Sequence, residues 1–244
     1  MADALILSIE TATGCGSVAL TRGRLRDGQV LAEYTLQPEL THSRRLLGVI
    51  DTMMHAARAE WKDLGAVAVS RGPGSFTGLR IGMAAAQGIA MAASVPLLGV
   101  ATLDGMAAAG MAIDIQVCWL LDARKQQVYA AFYRYDSECV PIRTSDYLAL
   151  TPDQLLQSIR EPTLLAGPGV RVCQPWCEGL GMIRILPAGP LHPRAALIGL
   201  SAGQRMMEGV GSGNTDCLPL YVRASEAELN LHISQRANRN TAND

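Results

Sequence analysis

Two short stretches of this 244-residue chain carry the residue types that gather round a phosphate and its metal ion. In Glu10-Thr11-Ala12-Thr13-Gly14 an acid, two hydroxyls and a glycine follow an apolar run. The turn Asp122-Ala123-Arg124-Lys125-Gln126 offers an acid and bases, but no small hydroxyl or glycine that would let a phosphate approach the backbone. Glu10, Thr11, Thr13 and Asp122 therefore make half of a nucleotide cleft. A third stretch, Arg71-Gly72-Pro73-Gly74-Ser75-Phe76-Thr77-Gly78-Leu79-Arg80, lies between a strand and a helix, where backbone N–H groups can surround an anion. Its spacing departs from both phosphate patterns. Gly74 and Gly78 are separated by three residues where a dinucleotide fingerprint has two, and Leu79 stands where a phosphate-loop lysine belongs. A tight strand-to-helix turn accounts for it as well.

Hydrolytic chemistry lacks its groups. No two histidines stand one helical turn apart, and His42 is followed by Leu46 at that position. Cys173 and Cys177 enclose Pro175 and Trp176 at a spacing wider than a zinc knuckle, and no second pair follows. No catalytic residue, metal or cofactor is expected, and the six cysteines read as small buried apolar residues.

The elements that would position these stretches read as follows. Strands at 5–9, 17–20 and 30–36 begin antiparallel and are followed by a helix at 43–58, a strand at 66–70, a helix at 77–94 and a strand at 97–100. The pattern then restarts, with a hairpin at 116–122 and 127–135 and a third strand at 147–150. Pro152 opens a helix at 154–159, a strand follows at 163–167, and a helix at 194–207 closes the unit. Three strands and then alternating helix and strand, twice over, predict an α/β protein with a duplicated ribonuclease-H-like fold, the two-lobed actin, sugar-kinase and Hsp70 architecture. The lobes are expected at 1–110 and 111–225, with a polar tail at 226–244.

The two first-lobe helices differ in kind. Leu46, Leu47, Ile50, Met53, Met54 and Ala57 make an ordinary core-facing stripe on the first. On the second, Arg80 and Gln87 are the only long polar side chains between 79 and 93, so a helix apolar nearly all round leaves Met83, Ala90 and Met91 in need of cover from outside the lobe. Gly78, Gly82 and Ala86 recur every four residues, a row that fits close packing on the preceding helix and the approach of a partner helix equally well.

The totals narrow the field. The net charge of −1 supplies no cationic excess for nucleic acid, and no apolar run approaches a membrane span. The N-terminus, MADALILSIE, has no basic stretch before its apolar run, which predicts a cytoplasmic protein.

Ile9 to Thr13, Gly16 to Leu20, His42-Ser43, the run SRGPGSFTGLRIG from Ser70 to Gly82, Leu121 to Arg124, and Pro219-Leu220-Tyr221-Val222-Arg223 together resemble the bacterial TsaB (YeaZ) family. The resemblance implies a non-catalytic paralogue of TsaD. Such a protein pairs with itself and with TsaD, and TsaE, an ATPase, joins the complex that transfers threonylcarbamoyl to a tRNA adenosine. It implies contact through the two first-lobe helices, at His42, Arg45, Leu46, Val49, Ile50 and Met53 of the first and Gly78, Leu79, Gly82, Met83, Ala86 and Ala90 of the second. Tethering to tRNA would be only indirect. TsaD relatives hold a metal with two histidines one turn apart, and Leu46 in place of the second agrees with lost catalysis. Two rivals stand beside this reading: an actin-like ATPase or kinase using Glu10 and Asp122, and a glycoprotease-like metallopeptidase.

Overall fold

Alternation along the first strands sorts large side chains from small ones, and that sorting fixes how the sheet is covered. A computed structural model describes residues 4–36, 43–110, 113–177, 179–187, 191–209 and 217–223. In β1 (Leu5–Glu10), Leu5, Leu7 and Ile9 face one way, while Ile6, Ser8 and Glu10 face the other. β1 pairs antiparallel with β2 (Gly16–Arg22), from Leu5 opposite Arg22 to Glu10 opposite Ser17, and β2 pairs antiparallel with β3 (Gln29–Leu36). On the other side of β1 lie β4 (Leu64–Ser70) and β5 (Leu97–Val100), both parallel, for a strand order β3-β2-β1-β4-β5.

Helices α1 (Ser43–Ala56) and α2 (Phe76–Ala93) cover the large-residue face. There Leu7, Ile9, Val18, Leu20, Val67 and Val69 pack with Ile50, Met53, Met54, Met83, Ala86 and Ile89. Ser75 caps α2, its hydroxyl accepting from the Gly78 N–H, and Ser94 ends it in the left-handed conformation.

The second sheet repeats the order, β8-β7-β6-β10-β11, from β6 (Gln116–Asp122), β7 (Val128–Tyr135), β8 (Pro141–Arg143), β10 (Thr163–Ala166) and β11 (Ile183–Ile185); β9 (Leu148–Leu150) also pairs with β7. The expected third strand at 147–150 thus shares its place with β8, and neither β8 nor β11 was expected, each being only three residues long. Helix α4 (Pro152–Ser158) starts at a capping box made by Thr151 and Gln154 with Pro152 in its first turn, and α5 (Val170–Cys173) follows β10. Cys118, Cys173 and Cys177 lie in this core, whereas Cys15 and Cys139 are partly exposed, so burial does not hold for all six cysteines.

The duplicated fold expected from the strand pattern is the fold found. Its lobes, however, exchange helices. Helix α6 (Ala195–Met207), expected to close the second lobe, lies on the small-residue face of the first sheet, where Ile198 and Ala202 join Ile6, Ala66, Ala68, Leu98 and Val100. Conversely α3 (Thr102–Ala107) brings Leu103, Met106 and Ala107 onto the second sheet against Val117, Trp119, Leu121 and Tyr133. The reason is steric. A β-carbon on Gly199 would strike the Thr21 and Ser8 hydroxyls, and one on Gly203 would strike the Gly23 carbonyl, so this glycine-bearing helix fits only where the strands present small residues. Asp104 of α3 fastens the exchange by accepting from the hydroxyls of Tyr133 (2.7 Å) and Tyr147 (2.6 Å). Among the described residues no helix is long and apolar enough to cross a membrane. The tail expected at 226–244 lies outside the described residues.

Candidate functional site

The first turn sits at the end of β1, and its acid is turned inward. Glu10 is fully buried; its Oε1 accepts from the Ala12 N–H (2.7 Å) and the Ser70 hydroxyl (3.1 Å), while Oε2 has no hydrogen-bond partner. Burial pushes this carboxyl up to about 7, against the two hydrogen bonds that act to lower it. The Thr11 hydroxyl donates to the Gly78 carbonyl (2.8 Å), and the Thr13 hydroxyl to the Cys15 carbonyl (3.0 Å).

The glycine-rich loop closes directly onto this turn. A β-carbon on Gly74 would meet the Ala12 carbonyl, one on Gly78 the Thr11 carbonyl and one on Gly82 the Thr11 hydroxyl. The Ser75 N–H donates to the Ala12 carbonyl at 2.6 Å. These glycines therefore let loop and helix approach the first turn, and the tight-turn account of their spacing is the one the geometry bears out. The same contacts correct the reading of the small row on α2. Gly78 and Gly82 face Thr11 and Ile9 of their own lobe, so at these two positions the row is taken up by the first turn and β1, while Ala86 lies in the core cluster shared with α1.

Between the lobes lies a cleft of about 610 Å³. One wall carries Ala12, Thr13, Gly74, Ser75 and Phe76; the other carries Leu121, Asp122, Ala123, Arg124 and Tyr129. Of the four residues expected to make the nucleotide site, Thr13 and Asp122 line this cleft, and Glu10 and Thr11 are directed into the first lobe. Asp122 is exposed, and its Oδ1 accepts from the Arg124 N–H at 2.6 Å. Arg124, Lys125 and Gln126 follow with φ of 63°, 51° and 57°, three successive left-handed residues without a glycine. Leu220, Tyr221, Val222 and Arg223 also line the cleft. They stand out in the sequence as a motif, but nothing in their local pattern shows that they return to the cleft.

The helix pair requires a correction residue by residue. Leu46, Ile50, Met53, Leu79, Gly82, Met83, Ala86 and Ala90 are buried within their own chain, mostly in the core of the first lobe, and of these Leu46 alone also borders the groove between the helices. Val49 is half-buried against the same core, and Gly78 is half-buried on Thr11. His42 lies outside the described residues, as does the side chain of Arg45. Helical periodicity located the apolar residues but could not show that the sheet and the first turn cover them. Among the described residues, the apolar surface the pair presents includes Leu47 (54% exposed) on α1 and Phe76, Ala84, Gly88 and Met91 (81% exposed) on α2. Between the helices runs an open apolar groove of about 480 Å³, lined by Leu46, Leu47, Phe76, Thr77, Arg80, Ile81, Ala84 and Ala85.

Comparison with known proteins gives concordant matches. The family described as TsaD, tRNA N6-adenosine threonylcarbamoyltransferase, matches residues 29–158. The tRNA threonylcarbamoyladenosine biosynthesis protein TsaB of Escherichia coli (strain K12) is 35% identical over 173 residues, spanning 70% of this chain and 71% of that protein. Its namesake in Bacillus subtilis (strain 168) is 28% identical over 235 residues, 95% of this chain and 99% of the other. Among solved structures, a Pseudomonas aeruginosa protein with similarity to peptidase YEAZ superposes with a TM-score of 0.74 at 27% identity, covering 90% of this chain and 100% of that one.

Proposed function

This chain belongs to the TsaB (YeaZ) family, and from that premise we propose that it is the non-catalytic accessory subunit of a tRNA threonylcarbamoyladenosine complex, seating a TsaD-type protein on the exposed edge of α1 and α2. Its part in the biosynthesis of that modification follows from the family. The observation that carries the docking is the groove between α1 and α2, where Leu47, Phe76, Ile81, Ala84 and Ala85 leave apolar surface open to solvent. Small residues at Ala84, Ala85 and Gly88 let another helix come close, and the exposed Met91 extends the apolar strip toward the end of α2. TsaD supplies the catalysis and the contact with tRNA; the net charge of −1 gives this chain no cationic surplus of its own for phosphates. TsaE joins the assembled pair, and a homodimer uses the same face when TsaD is absent.

The ATPase reading loses ground on Glu10. An acid that is to position magnesium must reach the cleft, and here it is held by Ala12 and Ser70 behind the first turn. The peptidase reading needs a ligand set, and no group of three potential ligands assembles among the described residues.

Size-exclusion co-elution with the cognate TsaD protein tests the proposal. Leu47→Asp and Ala84→Arg should each abolish co-elution while leaving the melting temperature unchanged, because both side chains are solvent-facing. Two folded variants that still co-elute as the parent does would overturn the docking face.

A further inference from the structure

The segment Cys217–Arg223 comes back across both lobes and is held at each end. On the first lobe the Cys217 thiol donates to the Leu97 carbonyl (3.1 Å) and the Leu220 N–H to the Arg71 carbonyl (2.6 Å). The Tyr221 ring lies 5.2 Å from that of Phe76, and the Arg80 guanidinium sits 3.8 Å from the same Phe76 ring. On the second lobe Arg223 Nη1 donates to the Ala123 carbonyl (3.1 Å) and to Gln127 Oε1 (3.0 Å).

Both seats are specialised to receive the segment. Gly72 holds φ of +103°, and a β-carbon there would stand 2.9 Å from the Leu220 carbonyl, so the glycine-rich loop is shaped around the strap as well as around the first turn. Ala123 and Gln127 are hydrogen-bonded to each other and bracket the left-handed turn Arg124 to Gln126, so Arg223 grips the base of the hairpin that forms the far wall of the cleft. The exchanged helices α3 and α6 join the lobes through their packed sheets, but neither contributes a lining residue to this opening.

We propose that Leu220 to Arg223 is an intramolecular latch that ties the glycine-rich loop of one lobe to the β6–β7 hairpin of the other and sets the width of the cleft. A ligand entering between Phe76 and Arg124 has to share the mouth with this segment or displace it. The latch also reaches the docking groove, since Phe76 lines both the cleft and the groove. Nothing in this inference depends on which partner the groove takes.

Hydrogen exchange on the full chain, followed by mass spectrometry, tests it with Arg223→Ala, which removes only the second-lobe anchor. Exchange should accelerate by at least about tenfold in peptides spanning 72–78 and 122–129 as well as in the strap, with peptides from α1 and α4 unchanged. Acceleration confined to 217–223, or none anywhere, overturns the latch. Should Arg223→Ala loosen the whole chain uniformly, Tyr221→Ala decides between the same outcomes, because that ring is exposed and its loss leaves the core intact.

Discussion

Glu10 makes the stability of this protein depend on pH in a direction opposite to that of a surface carboxylate. Its folded value of about 7 lies above the ordinary 4.5, because burial disfavours the ionised form more than Ala12 and Ser70 favour it. Below pH 4.5 the group is protonated in both states and exacts nothing. Between 4.5 and 7 the unfolded chain releases a proton that the folded chain retains, so stability falls as pH rises, and above 7 the full loss persists, on the order of 3 kcal/mol. Glu10→Gln keeps an oxygen for Ala12 and Ser70 and removes the charge. Urea unfolding at pH 5 and pH 8 should show this component of the decline erased, leaving the variant about 1–3 kcal/mol more stable than the parent at pH 8. Gly78→Ala acts in the opposite sense. Its methyl would collide with the Thr11 carbonyl, a backbone atom that cannot step aside, and the overpacking should cost about 1–3 kcal/mol in the same assay. At this scale residue types were legible and directions were not. The acid and hydroxyls of the first turn stood out from their neighbours, but whether Glu10 reaches the cleft or the sheet depends on Ser70, sixty positions away.

Helix α2 shows what periodicity can and cannot settle. Arg80 and Gln87 mark one exposed edge, and the remaining residues look interchangeable along the chain. In the structure Met83 is 5% exposed among the first lobe's core residues, and its neighbour Ala84 stands at the surface of the groove. Adjacent substitutions should therefore diverge. Met83→Ala should destabilise by about 2–5 kcal/mol, as expected for a large-to-small change in a packed core. Ala84→Arg should stay within about 0.5 kcal/mol of the parent and show its effect only in TsaD binding. Thermal melts of the two variants beside a binding assay separate these roles. The longer strands of both lobes were readable because turn residues frame them, and α2 and α4 because Ser75 and Thr151 cap them. The three-residue strands β8 and β11 and the six-residue α3 are too short to display a period.

For the whole molecule, the doubled order of strands was visible, but the exchange of helices between lobes was not. Helix α6 carries alanine, glycine and serine on several sides, so its pattern names no sheet; Ser8, Thr21 and Gly23 choose it through the room they leave. Residues 1–110 expressed alone would lack that cover, and Ile6, Ala66, Ala68, Leu98 and Val100 would face water. Such a fragment should give poorly dispersed amide resonances and bind a hydrophobic dye, and a peptide spanning 191–209 added in trans should restore dispersion. The exchange also sets a timetable for birth on the ribosome. The first sheet's strands end at Val100, but the helix that clothes their inner face begins at Ala195, so translation at roughly 5–20 residues per second leaves that face bare for roughly 5–20 s. During that interval the nascent chain holds a greasy, half-dressed sheet that α6 is shaped to fit, and a ribosome stalled between Val100 and the end of α6 at Met207 releases a product that chaperones must shelter or proteases must clear.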